Sequence, residues 1–287
     1  MLLSYILLTL VIIIVSYILI KANKNTHRVV INKINVEDET SKEQPSERIH
    51  LNVLHLSDIH LENLSISPLQ LYDYIKDEKI DLIALTGDFL DRKRSIPKLI
   101  PYLQILQEIK AKYGMYAVFG NHDYVLKGKN FDTLKETLEL YGCKTLQNEN
   151  ETILIDDVIV NIIGIDDFST KRSDIASSYS NIRTGYNLVL THDPNIVLHM
   201  KNYHFDYLLT GHFHGGQIHW LKPYHLAKMG KLARLNIIKG LHTHDGKPFY
   251  ISEGLGQTGI NIRIGSLPEI TFQRLSLPVV SKSNKAM

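Results

Sequence analysis

The sequence predicts a mixed α/β sandwich in one domain, carried behind a single membrane-spanning helix. Three observations lead there: an uncharged apolar run at the N-terminus, a recurring order of apolar strand, polar or glycine-rich turn and helical pattern, and polar residues placed just past the strand ends. With 287 residues, 44% of them hydrophobic, the chain has material for a sizeable core. No internal repeat breaks it into smaller units.

The apolar run "LLSYILLTLVIIIVSYILI", residues 2–20, holds no charge. Its length is close to the roughly 20 residues a helix needs to cross the hydrocarbon layer. A cleaved signal peptide would show a basic leading segment, an apolar run of about 7 to 15 residues and a small-residue cleavage motif, and this segment has none of them. Residues 1–21 therefore read as a retained transmembrane anchor and 22–26 as a basic juxtamembrane linker. Lys21, Lys24, Arg28 and Lys33 all follow the run, and only the amino terminus precedes it. That bias leans the body toward the cytoplasmic face of the plasma membrane, in a single-pass arrangement.

Beyond the anchor, "THRVVINKINV" alternates like a strand and "EDETSKEQPSER" reads as a solvated acidic turn or linker. "LNVLHL" then leads to a helix near "SPLQLYDYIKDEK", "DLIALTG" to one near "SIPKLIPYLQILQEIKAKY", and "MYAVFG" to one near "NFDTLKETLELYG". In the second half "ETILIDDVIVNIIGI" reads as a hairpin turning at Asp-Asp, "YNLVLT" and "DYLLTG" as buried strands, and "FYISEGLG" and "PEITFQRL" as closing strands. The domain spans residues 27–275, and 276–287 reads as a flexible tail.

Composition excludes several classes of function. A net charge of +2, from 32 basic and 30 acidic residues, supplies no basic field, so no obligate nucleic-acid partner is expected. Cys143 is the single cysteine, which rules out an intramolecular disulfide framework and thiolate-rich zinc sites. Any metal must be held by nitrogen and oxygen.

The residues after each buried strand are chemically alike. "LNVLHL" ends in "SDIH", "DLIALTG" in "DF", "MYAVFG" in "NHD", "YNLVLT" in "HD" and "DYLLTG" in "HFH". In α/β sheets ligands bind outside the carboxyl ends of strands, so five such ends can meet at one crevice. The set is Asp58, His60, Asp88, Asn121, His122, Asp123, His192, His212 and His214. Gly211 and Gly215 free the last turn to present both of its histidines. So many oxygen and imidazole ligands exceed the need of one tetrahedral ion and suit two divalent ions sharing a carboxylate. Two ions about 3.5 to 4 Å apart can clamp a phosphoryl group and acidify a bound water.

"DIH", "GD", "GNHD", "H" and "GHFH", in that order, resemble the pattern of the calcineurin-like metallophosphoesterases. "GHFHGGQIHW" and "ISEGLGQTGINIRIGSLPEI" resemble the bacterial membrane-anchored branch of that family, which includes relatives of UDP-2,3-diacylglucosamine pyrophosphatases. The resemblance implies a four-layer αββα sandwich of two mixed sheets with the site at one edge. It implies that Asp58, His60 and His214 bind one ion, that Asp88 bridges, and that Asn121, His192 and His212 complete the second shell. It further implies that His122 lies outside both shells as the catalytic residue, stabilising charge or protonating the leaving group, with Asp123 orienting it. Purple acid phosphatase relatives carry a tyrosine three residues after the bridging aspartate; Asp91 stands there in this chain, which disfavours a ferric-tyrosinate centre. Manganese is the foremost expectation for the two divalent ions, with zinc or ferrous iron as alternatives.

The expected function is hydrolysis of a phosphodiester or pyrophosphate of a membrane lipid or nucleotide-lipid such as UDP-2,3-diacylglucosamine, with the bilayer as partner. The alternatives are a phosphodiesterase on soluble nucleotides or nucleic acid, and a non-catalytic metal-binding scaffold. Outside the constellation, His55 reads as a strand residue, His242 and His244 as part of a hairpin and His204 as a helix end. Residues 222–235, "KPYHLAKMGKLARL", read as an amphipathic surface helix able to rest on anionic headgroups. His219 and Trp220 read equally as substrate-facing or as packing residues.

Overall fold

A computed structural model describes residues 1–37 and 49–278; the acidic linker, from residue 38 on, and the end of the tail, from 279 on, lie outside the described residues. The chain opens with α1 (Leu2–Asn25), 24 residues long and near 36 Å at about 1.5 Å per residue. Residues 1–21 are exposed all round, and the helix is long and apolar enough to cross a membrane. Its last turn behaves differently. Ala22 and Thr26 are buried, Asn23 Nδ2 donates to the Asn261 carbonyl at 2.8 Å, and Asn25 Nδ2 donates to the Arg263 carbonyl at 3.0 Å. Residues 22–25, expected in a linker, thus continue the helix, because nothing in them breaks it and the domain supplies partners for its polar side chains.

Among the described residues, twelve strands form two six-stranded sheets. The first holds β1 (Val30–Val36), β2 (Ile49–Leu56), β3 (Leu82–Thr86), β4 (Met115–Val118), β5 (Cys143–Thr145) and β12 (Glu269–Leu277), in the order β1-β12-β2-β3-β4-β5. The second holds β6 (Glu149–Ile155), β7 (Val158–Gly164), β8 (Tyr186–Leu190), β9 (Tyr207–Thr210), β10 (Gly240–His244) and β11 (Lys247–Ile251), in the order β10-β11-β9-β8-β7-β6. Strands β2 to β5 run parallel, as do β7, β8, β9 and β11, so each sheet gathers several carboxyl ends at one edge. The Asp-Asp turn between β6 and β7 has both residues at positive φ, 44° and 72°, as a tight two-residue hairpin requires.

Period-two alternation builds the layers. In β2, Leu51 and Val53 point between the sheets while Leu54 and Leu56 point to the helices. The inner layer joins them with Leu82, Val160, Leu188 and Leu209 from both sheets. On the outer face of the first sheet lie α2 (Pro68–Ile75), α3 (Ile96–Glu108) and α4 (Lys129–Leu140). A capping box starts α2, with Ser67 and Gln70 serving each other's backbone and Pro68 in its first turn. The fourth layer is made of short helical pieces, including α5 (Ile175–Ser178) and α6 (Lys231–Arg234), over Val189, Leu208 and Phe249. The expected four-layer αββα sandwich of two mixed sheets is therefore the fold.

Two local expectations fail. Residues 222–235 do not form one amphipathic helix: a 3-10 segment, Tyr224–Met229, stops at Gly230, whose φ is 115°, and α6 follows. The Asn195 amide fills the break, donating to the Met229 carbonyl at 2.8 Å and accepting from Leu232 N at 3.2 Å. His204 is not a helix end but part of the loop before β9, its Nε2 lying 3.2 Å from Asp206 Oδ1.

Candidate metal centre

All eight residues expected to ligate or catalyse gather at the shared edge of the two sheets. One group is Asp58, His60 and His214; a second is Asp88, His192 and His212; a third joins His60, Asp88 and His122, and within each group the ligand atoms lie within 4.8 Å of one another. Asp88 Oδ2 joins the first two groups, 3.4 Å from His60 Nε2 and 3.1 Å from His192 Nε2. Asn121 lines the same cavity as Asp88 and His212, and its buried Oδ1 has no hydrogen-bond partner among the described residues.

The backbone of these turns is unusual. Asp58, His60, Asp88, His212 and His214 all have positive φ, between 40° and 77°. Side chains other than glycine rarely sit there, so these turns store backbone strain. Gly211 serves the site by close approach, since a Cβ on it would collide with Ser57 Oγ and the Asp58 carboxylate. With that side chain absent, His212 N can donate to both oxygens of Asp58 at 3.1 Å.

The donor chemistry fits cations. His192 Nδ1 lies 2.7 Å from the Thr86 carbonyl, so Nδ1 carries a proton and Nε2 is the ring atom left to face the Asp88 carboxylate. His60 Nε2 and His214 Nε2 approach to 3.2 Å, and His212 Nδ1 and His192 Nε2 to 3.1 Å. Lone pairs and carboxylates brought this close need positive charge among them. Burial works against the His60 imidazolium, yet Asp88 and Asp91 overcome it and push the ring up to about 10, while burial carries His214 down to about 3. His192 is likewise raised against burial, chiefly by Asp88, and His212 is lowered by burial and by the charge of His192. Both carboxylates are held below their usual range despite burial, Asp58 by its histidine neighbours and Asp88 by His192 and His60. His60 and His192 thus both face Asp88 Oδ2, and His214 faces Asp58 Oδ1 at 3.2 Å, a donor set able to hold divalent cations.

The calcineurin-like phosphoesterase family profile matches residues 51–216, which is over half the chain. The chain is also 62% identical over 270 residues to the uncharacterized metallophosphoesterase YkoQ of Bacillus subtilis (strain 168), covering 94% of this chain and 99% of that protein. The chain belongs to the calcineurin-like phosphoesterase family. It is thus a metal-dependent hydrolase of phosphoesters. Two relatives are more distant: YkuE of the same organism, 28% identical over 69% of this chain and 68% of that protein, and the UDP-2,3-diacylglucosamine pyrophosphatase LpxG of Chlamydia muridarum (strain MoPn / Nigg), 26% identical over 68% and 73%.

One expected role in this cluster is corrected. Asp123 does not orient His122. Its carboxylate lies buried under the Asp88 turn and accepts from Asp88 N and Phe89 N at 2.8 Å and from Gly120 N at 2.9 Å. Asp91 is the carboxylate beside His122, with Oδ1 2.8 Å from His122 Nδ1. Adjacency in sequence pointed to the wrong partner because the 3-10 turn starting at Asp123 sends the two side chains apart. Burial resists charge on the His122 ring, but Asp91 and then Asp88 raise it.

Arg263 was not singled out from the sequence at all. Its guanidinium is fully buried and donates to the carbonyls of Glu253, Gly254, Gly256 and Leu267 at 2.6 to 3.0 Å. That loop in turn holds the first site turn, through Leu255 N to the Ser57 carbonyl at 2.9 Å and Gly256 N to the Asp58 carbonyl at 2.7 Å. His55 is a buried strand residue whose Nε2 lies 2.8 Å from Thr86 Oγ1 and whose Nδ1 has no partner among the described residues, and His242 and His244 belong to the β10–β11 hairpin. A cavity of about 300 Å³ opens over this Asp and His cluster, lined by Asp88, His122 and His214 on the polar side and by Ile218, Leu226 and Ile260 on the apolar side.

Proposed function

We propose that this chain is a membrane-tethered phosphoesterase with a dinuclear metal centre, acting on a lipid-linked phosphodiester or pyrophosphate of the UDP-2,3-diacylglucosamine type. The observation that carries the dinuclear reading is Asp88 Oδ2, which faces histidines of both ligand groups at 3.1 and 3.4 Å. Asp58, His60 and His214 hold one ion, Asn121, His192 and His212 hold the other, and Asp88 is shared. Manganese is the first choice for an oxygen and imidazole set, with zinc and ferrous iron next. When bound, such ions polarise the phosphoryl oxygens and acidify a coordinated water.

The chain's own groups supply the rest. His122, partly exposed at the cavity and held protonated by Asp91, donates a proton to the departing oxygen. The retained anchor is supported by the burial of Ala22 and Thr26, because cleavage near the end of the apolar run would cut into a turn that the domain clasps. The basic residues that follow the span favour a cytoplasmic catalytic domain. The lipid reading rests on that tether, on the apolar wall of the cavity and on the distant likeness to LpxG.

The test uses purified full-length protein in detergent. Manganese-dependent hydrolysis of a nitrophenyl phosphodiester is expected, followed by faster cleavage of UDP-2,3-diacylglucosamine in mixed micelles. Full activity in Asp88→Ala would refute the metal assignment, and cleavage restricted to soluble nucleotides would remove the lipid one.

A further inference from the structure

Outside α1, the two most exposed large apolar side chains among the described residues, Trp220 and Leu221, stand beside the cavity. Trp220, Leu221 and Tyr224 are 86%, 82% and 77% exposed within one short stretch, and Ile260 is 60% exposed. Hydrogen bonds tie Gln217 and His219, just before that stretch, to the Ile260–Ile264 loop and that loop to the helix. Gln217 Nε2 donates to the Ile260 carbonyl at 3.2 Å, while His219 N donates to the Ile264 carbonyl and Ile264 N to the Gln217 carbonyl, both at 2.8 Å. The neighbouring Arg263 N donates to the Ala22 carbonyl at 2.9 Å. The uncharged run of α1 ends at Ile20 and Lys21, so the clasped residues 22–26 lie at the level where a bilayer meets water. Trp220 is therefore only a few backbone bonds from that level. The same segments form the cavity wall, since Ile218, Leu226, Met229 and Ile260 share it with Asp88 and His122.

We infer that Trp220 and Leu221, with Tyr224 and Ile260, insert into the interfacial layer of the bilayer that α1 spans, so that the catalytic cavity opens onto the lipid leaflet. The inference rests on the reading of α1 as a retained span and adds to it a second point of attachment. Tryptophan and tyrosine favour this layer because each has an apolar body and a polar handle. Lys222 and Lys228, on the same stretch, suit an anionic leaflet. A helix alone would let the domain swivel about its axis. With a second contact, the cavity faces the leaflet, and an amphiphilic phosphoester enters with its apolar part along Ile218, Leu226, Met229 and Ile260.

Trp220 is the only tryptophan in the chain, which makes it its own probe. Full-length protein is reconstituted in phosphatidylcholine–phosphatidylglycerol vesicles with and without brominated acyl chains, and iodide is equilibrated across them by freeze–thaw. The expected result is loss of most tryptophan emission in brominated vesicles and little quenching by iodide. Emission insensitive to brominated lipid overturns the proposal: with iodide quenching it means an aqueous loop, and without it a loop covered by protein, such as a second copy. Leu221→Ser should move the emission toward iodide accessibility. Neither readout needs turnover, and extraction of the chain by alkaline carbonate would instead refute the span itself.

Discussion

His122 Nδ1 lies 2.8 Å from Asp91 Oδ1, and the same oxygen lies 3.4 Å from His60 Nδ1. One carboxylate therefore faces both the proposed proton donor and a ring of the metal cluster. Burial disfavours its charge, yet the two histidines hold it well below the usual carboxylate range. Asp91→Asn removes the group that raises His122. Its rate at neutral pH should fall by about 100-fold, the low end of the range of acid–base contributions. The basic limb of its kcat profile should move to lower pH, because the ring then loses its proton earlier. A pH–rate series on a nitrophenyl phosphodiester checks both.

Binding of divalent ions should expel protons. His60 and His192 are raised above their ordinary value, so both are protonated at neutral pH in the absence of ions and must lose those protons to ligate. About two protons released per chain are expected, with affinity rising as pH rises toward the raised values. Isothermal titration of chelator-treated protein in two buffers of different ionisation enthalpy measures the number, and no release would count against the ligand set.

Asp123 should matter for stability more than its distance from the cavity suggests. Its two oxygens receive three short backbone N–H bonds from the turn that carries Asp88 and from Gly120. Asp123→Ala leaves buried donors unpaired, a loss of roughly 2 kcal/mol or more. Thermal unfolding in detergent should show the drop, and metal content should fall with it.

Both Nη atoms of Arg263 donate to a cage of four main-chain carbonyls, which a single ammonium cannot span. Arg263→Lys should therefore lose metal to a chelator faster than the parent, through loosening of the loop that holds Ser57 and Asp58, while keeping every expected ligand.

The site was legible because each of its members stands within a few residues of a buried strand, and the strands announce themselves by β-branched apolar runs. What escaped depended on contacts distant in sequence. Asp91 finds His122 across 31 positions, and Arg263 is satisfied by main-chain carbonyls that no side-chain pattern reveals. Residues 222–235 have helical spacing throughout, but Gly230 sits against the Asn195 amide, where a Cβ would collide, and the helix breaks there. The three-residue strand β5 is too short to show a period.

The left-handed backbone at Asp58, His60, Asp88, His212 and His214 has a consequence for engineering. Each such residue costs on the order of 1 kcal/mol that glycine would not incur. A laboratory selection for heat resistance alone, blind to turnover, would be drawn to these five positions and would erode the enzyme from its centre outward.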